Sequence, residues 1–376
     1  IIIFIFNVSY NCTIGAAYDH EGRPFLFKVR DRDDEDNNKL YYNTSGQYKY
    51  VGIINTSTNN ANGRTWGGLN EHGFAIVNAV TTSDDDIDQS ENGEFMHNVL
   101  SNCSSYSDFS ELYSNNNNLI DANFIILSSD SSDSSNKLRF FEKNIYDEFE
   151  LINLESSGCR SNFLYKELSD LTDLDEYDTD ISDSTYATPE KSVYRQQFCE
   201  HRLEGMAPNE INEINILNNV IRKFIKSDFP GLLNSNGTIS NDFSEYDVPY
   251  EYQVLSDGSP NGYIDTKFSI SRDENVSLIL IRGVIGDEET KLTTLWNTIG
   301  TPTFGVLTPI WVVGEPPLSL SGQNHETQAP IEIISNLIKK RLYSWEEVDS
   351  NGIGEQNYID SFQLIHPTNI DLWNNF

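Results

Sequence analysis

Apolar and polar positions alternate over much of the N-terminal third of the chain, which predicts a series of short antiparallel strands. The first two strands, at residues 12–18 and 24–29, are joined by a polar turn that contains Gly22 and are predicted to form a hairpin. The later strands of this series are predicted at residues 48–54, 65–69, 74–80, 123–128, 138–143 and 148–153. Two further apolar runs, at residues 277–284 and 303–313, have the length of buried strands.

The periodicity becomes helical in the middle of the chain. Thr188 before Pro189 is a helix start signal, because threonine caps a helix and proline fits its first turn. Further helices are predicted at residues 209–227 and 330–340. Residues 170–184 are acidic and serine-rich with little periodic apolar signal, which predicts a loop or a mobile lid.

Strands followed by helices and then strands again, without a β-α-β alternation, favour an α+β fold or a layered sandwich over a doubly wound fold. The 376 residues contain no internal repeat, glycine-rich phosphate loop or linker, so residues 12–376 are interpreted as a single domain. Residues 1–6 are all apolar and precede small and polar residues. Residues 1–11 are therefore interpreted as a signal-peptide remnant or a short propeptide, the alternative being an ordinary buried first strand.

The charge balance excludes several classes of protein. With 25 lysines and arginines against 58 aspartates and glutamates, the formal net charge is -33. Such a field repels nucleic acids and anionic membrane surfaces, because both bind through positive patches. No later stretch approaches the ~20 apolar residues that a membrane span needs. We therefore expect no nucleic-acid partner, no membrane span in the mature chain and, from the leader-like start, a secreted or extracytoplasmic protein.

The four cysteines and six histidines show no metal-binding spacing. Since neither a Cys-x-x-Cys pair nor a histidine pair at ligand spacing occurs, we expect no metal, and nothing in the sequence calls for a cofactor. In an exported protein a disulfide can form among Cys103, Cys159 and Cys199. The sequence leaves the choice of pair open.

Cys12 stands where the apolar leader ends and the first predicted strand begins. A thiol is a good nucleophile at neutral pH once a base removes its proton. If the chain is cut between Asn11 and Cys12, the new α-amino group, with a reference pKa of ~8, supplies that base on the same residue. The alternative is a buried structural cysteine, which is the commoner fate of a cysteine.

Several segments occur in the order found in a known superfamily. They are Cys12-Thr13-Ile14-Gly15, Val29-Arg30-Asp31-Arg32-Asp33, Trp66-Gly67-Gly68-Leu69-Asn70-Glu71-His72-Gly73 with the strand ending in Asn78, Gly158-Cys159-Arg160-Ser161-Asn162-Phe163 after Glu142, and Ser192-Val193-Tyr194-Arg195. Together they resemble the cysteine N-terminal-nucleophile (Ntn) hydrolases, the group of the isopenicillin-N acyltransferase-like and choloylglycine hydrolase-like proteins. Asp31 departs from that pattern, because asparagine is usual at its position.

The resemblance implies a four-layer αββα Ntn-hydrolase sandwich of two mainly antiparallel sheets. It also implies that Cys12 is the nucleophile and that the amides of Asn78 and Asn162 donate to the oxygen that becomes negative in the reaction. The plainer interpretation of each asparagine is a turn residue or a backbone cap.

The charged residues of the motifs receive roles in the same way. Arg30 would favour the thiolate of Cys12. Asp33 would accept a hydrogen bond from the α-amino group and orient it. Arg195 would hold Arg30 and Asp33 in register or contact the substrate. The plainer interpretations are an Arg30–Asp33 ion pair at the end of a strand and an exposed position for Arg195 on its helix.

The function implied is that of an exported amidohydrolase acting on a small amide through a Cys12 thioester, with acyl transfer to a second substrate as a further possibility. Two alternatives remain open: a dipeptidase of the same superfamily, and an exported binding or surface protein that has the fold without the activity. The two halves of the substrate and the oligomeric state cannot be derived from the sequence.

Overall fold

The structure is a computed structural model that describes residues 12–31, 38–56, 63–81, 90–115, 120, 122–133, 136–143, 149–162, 189–224, 263–266, 269–323, 327–343, 345–348 and 354–360. Its strands are β1 (Thr13–Tyr18), β2 (Pro24–Asp31), β3 (Asn38–Asn43), β4 (Tyr50–Asn55), β5 (Gly68–Asn70), β6 (Ala75–Val80), β7 (Ala122–Leu127), β8 (Leu138–Lys143), β9 (Phe149–Asn153), β10 (Ser157–Arg160), β11 (Tyr263–Asp265), β12 (Asn275–Arg282), β13 (Thr294–Ile299), β14 (Thr308–Ile310), β15 (Trp345–Val348) and β16 (Gly354–Asp360). Its α-helices are α1 (Ser90–Asn102), α2 (Tyr106–Asn115), α3 (Pro189–Gly205), α4 (Glu213–Ile216), α5 (Leu318–Ser321) and α6 (Pro330–Leu342).

The strands pair into two large sheets and one small sheet. The six-stranded sheet has the order β10-β1-β2-β12-β13-β14, and the seven-stranded sheet runs from β3 to β9 in chain order. The small sheet has the order β11-β16-β15. All pairings within the described residues are antiparallel. A meander of this kind needs only short connections, which agrees with the hairpin signals in the sequence.

The β1–β2 hairpin forms as predicted. Gly22 adopts a φ of 79°, a left-handed conformation that residues with a Cβ avoid. The Oδ1 of Asp19 accepts hydrogen bonds from the backbone nitrogens of Glu21, at 2.9 Å, and Arg23, at 2.8 Å. The short aspartate side chain thus closes the turn that the sequence marks with glycine.

Three buried clusters show that the large sheets and the helices stack in four layers. The cluster between the sheets contains Ile14 from one sheet and Val77 from the other. On the outer face of the six-stranded sheet, Phe27 belongs to the same cluster as Phe198 of α3. Helices α1 and α2 cover the outer face of the seven-stranded sheet through a third, aromatic cluster. The predicted α+β class and αββα layering are confirmed.

The predictions for two segments fail in part. Of residues 303–313 only β14 is a strand, and Val313 is 76% exposed because it lies in the turn that follows this strand. Within the described part of residues 209–227, which ends at Phe224, α4 is a single α-helical turn and continues as a π-helical turn, Leu217–Ile221. The predicted strand at 277–284 corresponds to the buried strand β12, and the helix at 330–340 to α6.

The sequence analysis assigns no element between residues 80 and 123, so helices α1 and α2 were not predicted. A signal for α1 exists: Phe95, Met96, Val99 and Leu100 recur at helical spacing, and all four are buried. The polar residues between them conceal this pattern from a search for alternating strands.

Some predictions fall outside the described residues. These are the leader at residues 1–11, the loop or lid at 170–184, and Asp33. The division of the chain at residue 12 therefore stays a prediction. Among the helices that the structure describes, none is long and apolar enough to cross a membrane.

Candidate active site

Cys12 lies directly before β1 and is buried, with 3% of its surface exposed. It is not part of a disulfide. In the β1–β2 ladder Thr13 lies opposite Val29, so continuing the register by one residue brings Cys12 opposite Arg30. Since side chains alternate along a strand, Cys12, Ile14 and Arg30 share the face that looks toward the second sheet. The sequence motifs on the two strands therefore meet at one place between the sheets.

Arg30 is held by groups from the seven-stranded sheet. Its Nη1 donates to the Oδ1 atoms of Asn38, on β3, and Asn55, on β4, the latter at 2.8 Å. Its guanidinium carbon lies 4.8 Å from the centre of the Trp66 ring, a cation–π contact. These amide contacts hold the guanidinium on the face that it shares with Cys12, where its positive charge can stabilise an anion.

The chain after β10 joins Cys12 to the end of β6. The Oγ of Ser161 donates to the backbone oxygen of Cys12 at 3.1 Å. The next residue, Asn162, donates from its Nδ2 to the backbone oxygen of Val80 at 2.7 Å. Asn78 lies two residues before Val80 on β6, so the two predicted amide donors and Cys12 belong to one connected region. The backbone of β6 thus accepts one hydrogen bond from the Asn162 amide, and the role of Asn162 as a donor to the substrate stays a prediction.

Asn78 is fully buried and only half satisfied. Its Oδ1 accepts a hydrogen bond from the Nζ of Lys28 at 2.5 Å. Its Nδ2 has no hydrogen-bond partner among the residues that the structure describes. A buried amide donor without a partner costs about 1–3 kcal/mol, so it is rare in a folded protein unless a ligand or water takes it up.

Lys28 is a buried cation that the sequence analysis missed. It lies on β2, two residues before Arg30, and its Nζ also donates to the backbone oxygen of Trp66 at 3.1 Å. Burial lowers the pKa of Lys28 to about 8, Arg30 lowers it further, and electrostatic interactions with Cys12 and Asp31 oppose the shift. The signal was present, because a lysine within the apolar run of β2 is unusual for a buried strand.

Arg195 is fully buried on α3, so the interpretation as an exposed helix residue is wrong. Its Nη2 donates to the Oγ of Ser192 at 3.0 Å and to the Oγ of Ser161 at 3.5 Å. Ser192 and Arg195 meet because residues three apart share a helix face. Burial lowers the pKa of Arg195 to about 9, helped by the like charge of Arg272 and opposed by Asp31. Its Nε and Nη1 have no partner within the described part of the chain.

Asp31, the residue that departs from the motif, points away from Cys12. Its side chain alternates with that of Arg30, so it faces the other side of β2. There it pairs with the Nη2 of Arg272 at 2.7 Å and accepts from the Nδ2 of Asn275. Asp31 therefore belongs to a buried ion-pair network that joins β2 to β12 behind the site.

The disulfide joins two elements of the site. Cys159, on β10, is bonded to Cys199, on α3, with their Cα atoms 6.1 Å apart. It thereby ties the strand that leads to Ser161 to the helix that carries Arg195. Cys103 is left as a buried thiol, and burial raises its pKa to about 12. The structure thus selects one of the pairs that the sequence left open.

Within the described ranges, no group of three or more His, Cys, Asp and Glu side chains is arranged to hold a metal ion. The expectation of a reaction without metal or cofactor remains a prediction. What the region offers is a thiol opposite a guanidinium, with an ammonium and unpaired donors nearby. Such a set can stabilise a thiolate and then the oxyanion that forms when the thiolate attacks a carbonyl.

No family model and no curated protein matches this chain. Among solved structures it is similar to a Caenorhabditis elegans ortholog of N-acylethanolamine-hydrolyzing acid amidase, at 11% identity and a TM-score of 0.44, over 77% of this chain and 99% of that chain. It is also similar to a mutant conjugated bile acid hydrolase from Clostridium perfringens, at 11% identity and a TM-score of 0.42, over 84% and 94%. For penicillin V acylase from Agrobacterium tumefaciens the values are 13% and 0.41, over 83% and 89%. These are cysteine Ntn hydrolases, the group that the sequence motifs resemble.

Proposed function

We propose that the chain is an exported amidohydrolase that cleaves a C–N amide bond of a small molecule or small peptide through a thioester on Cys12. One observation carries the proposal: a cysteine outside any disulfide lies opposite Arg30, in the region where Asn78 presents a buried donor without a partner in the described residues. Because buried donors are nearly always paired in folded proteins, an unpaired one near a nucleophile indicates a substrate atom that pairs with it.

The reaction would proceed in two halves. The thiolate of Cys12 attacks the amide carbonyl carbon, and the oxygen becomes negative while hydrogen bonds from Asn78 and Asn162 stabilise it. The C–N bond then breaks, the amine leaves with the proton taken from the thiol, and the acyl group remains on sulfur. Water attacks this thioester, releasing the carboxylic acid and restoring the thiol. Hydrolysis is favoured over acyl transfer because an exported enzyme is surrounded by water.

The base in this scheme is the α-amino group of Cys12, released by cleavage of the bond after Asn11. Asp33 would orient this group. Asn11 and Asp33 lie outside the described part of the chain. Arg195 would act as a positioning residue, since it contacts the Ser161 hydroxyl that holds the Cys12 carbonyl. The positive charge of Arg30 would favour the thiolate.

The disulfide supports the export part of the proposal. Disulfides persist in oxidising compartments and are rare where glutathione keeps thiols reduced. The Cys159–Cys199 bond is fully buried and joins two elements of the site, as a structural disulfide would.

The test replaces Cys12 by serine, which has nearly the same shape. Because a hydroxyl is far less acidic than a thiol, Cys12→Ser should lower turnover of a panel of N-acyl p-nitroanilides at least ~100-fold, or about 2.7 kcal/mol, at an unchanged melting temperature. The matched control is Cys103→Ser, which changes the other buried thiol and should leave turnover unchanged. Full activity in Cys12→Ser would place the nucleophile elsewhere. A wild-type protein that cleaves none of the panel would favour the exported binding protein instead.

A further inference from the structure

We infer that Lys28 is a positioning residue for catalysis: its ammonium holds the Oδ1 of Asn78 and thereby presents the Nδ2 as a donor to the substrate carbonyl oxygen. This rests on the proposed function, and it adds a residue that the family motifs do not contain. It concerns how the donor is oriented and strengthened, not whether Cys12 is the nucleophile.

The orientation follows from the chemistry of the two groups. A lysine ammonium can only donate hydrogen bonds, so the atom of Asn78 that faces it must be the carbonyl oxygen. The contact of 2.5 Å therefore excludes the flipped amide, in which two donors would face each other. With Oδ1 fixed, Nδ2 lies on the other side of the amide, where the described residues offer it no acceptor.

The position of Lys28 links the two sheets at the nucleophile. Lys28 lies opposite Ile14 in the β1–β2 ladder, which is one step along the same face from Cys12 and Arg30. Its Nζ reaches across to Asn78 on β6 and to the backbone oxygen of Trp66, just before β5. One ammonium thus fixes an amide of the second sheet relative to the strand next to Cys12.

Stability alone does not account for a lysine at this place. Burying an ammonium costs free energy that an apolar side chain of the same length would not, and the lowered pKa of Lys28 reflects this cost. A charged donor on Oδ1 also polarises the amide, which makes its N–H a stronger donor to an oxyanion. The free-energy cost of burying the Lys28 ammonium is therefore incurred at the place where negative charge would develop during the reaction.

The test is a neutral replacement of nearly the same shape. Lys28→Met should lower kcat about 10-fold to 100-fold with KM nearly unchanged, because the donor acts mainly in the transition state. Its melting temperature should be unchanged or higher. Lys28→Gln, which keeps a shorter donor, should recover part of kcat. The matched control is Lys39→Met, which removes another buried lysine, one whose Nζ donates to the backbone oxygen of Thr327; kcat should not change.

A double-mutant cycle shows whether Lys28 acts through Asn78. In an Asn78→Ala background, Lys28→Met should cause no further loss of kcat, because the group that it positions is gone. Full kcat in Lys28→Met, or losses that multiply in the double variant, would overturn the inference. If Lys28→Met does not fold, Lys28→Gln takes its place in the cycle, with the same readings. Activity that survives in Cys12→Ser would instead reject the proposed function, so the two failures are distinguishable.

Discussion

Two buried regions of this protein are built from opposite chemistry. The outer layer between the seven-stranded sheet and helices α1 and α2 is made of aromatic rings, with Phe141 in contact with Phe109 at 4.9 Å and Phe149 at 4.7 Å between ring centres. The region around Cys12 buries three cations, Lys28, Arg30 and Arg195. Ring packing stabilises the fold, whereas buried cations destabilise it unless something pairs with them.

The difference teaches which buried region to examine for function. Stability alone accounts for a buried hydrophobic region, because burial of apolar surface is favourable at any position. The region around Cys12 is destabilised by its own charges and holds donors without a partner among the described residues, and binding or catalysis would explain why such a region exists. The predictions below separate the two regions by what their mutation changes.

The largest effect on stability is expected in the aromatic layer. Phe141→Ala removes a ring that lies within contact of several others, so it should lower the free energy of unfolding by about 3–5 kcal/mol. Phe141→Leu, which retains most of the volume, should lower it by clearly less. Urea unfolding measures both. The folded fraction of each variant should keep the wild-type kcat. A loss of kcat in the folded fraction would contradict the assignment of the aromatic layer to stability alone.

The disulfide is expected to have a somewhat smaller effect on stability and a second effect on the site. Replacing both Cys159 and Cys199 by alanine opens a loop whose ends are 40 residues apart, which corresponds to about 2–4 kcal/mol. Because the bond ties β10 to α3, kcat should also fall in the folded protein. Cys103→Ala is the control for loss of a buried cysteine. Unchanged kcat in the double variant would mean that Ser161 and Arg195 hold their places without the bond.

The smallest expected effect is a pH dependence of stability that arises near Arg30, in the region with the buried cations. Glu332, on α6, accepts a hydrogen bond from the backbone nitrogen of Asn38, and burial raises its pKa to about 8. The folded state therefore keeps a proton that the unfolded state releases above about pH 4.5, so stability is lost as the pH rises toward 8.

Between pH 5 and pH 7 the loss should be about 2–3 kcal/mol, measured by urea unfolding. Glu332→Gln should flatten this dependence, because glutamine does not titrate. Glu274→Gln is a matched control: it changes a glutamate that contacts Arg272 and has 35% of its side chain exposed. A dependence that persists in Glu332→Gln would assign it to another group.

Local signals in the sequence predicted the parts of the fold that local chemistry determines. The β1–β2 hairpin follows from alternation and Gly22, and α3 follows from Thr188 and Pro189. The register that brings Cys12 opposite Arg30 follows from the same hairpin. The layering was predicted through a resemblance and not from periodicity.

What could not be predicted depends on contacts between distant parts of the chain. The pairing of Cys159 with Cys199 depends on how β10 packs against α3, which no local pattern encodes. The role of Lys28 becomes visible only when β6 brings Asn78 to it from the other sheet. Val313 is exposed because it lies in the turn after β14, and an apolar run does not show where the strand within it ends.

The central claim is that Cys12 is the nucleophile, and alkylation tests it most directly. The protein is treated with limiting iodoacetamide, and the residual amidase activity is compared with the labelled fraction of each cysteine by peptide mass spectrometry. We predict that Cys12 is labelled before Cys103, that its peptide begins at Cys12 with a free α-amino group, and that activity falls in proportion to its labelling. Activity that survives complete alkylation of Cys12, or fully active protein in which Cys12 is still joined to Asn11, would contradict the account.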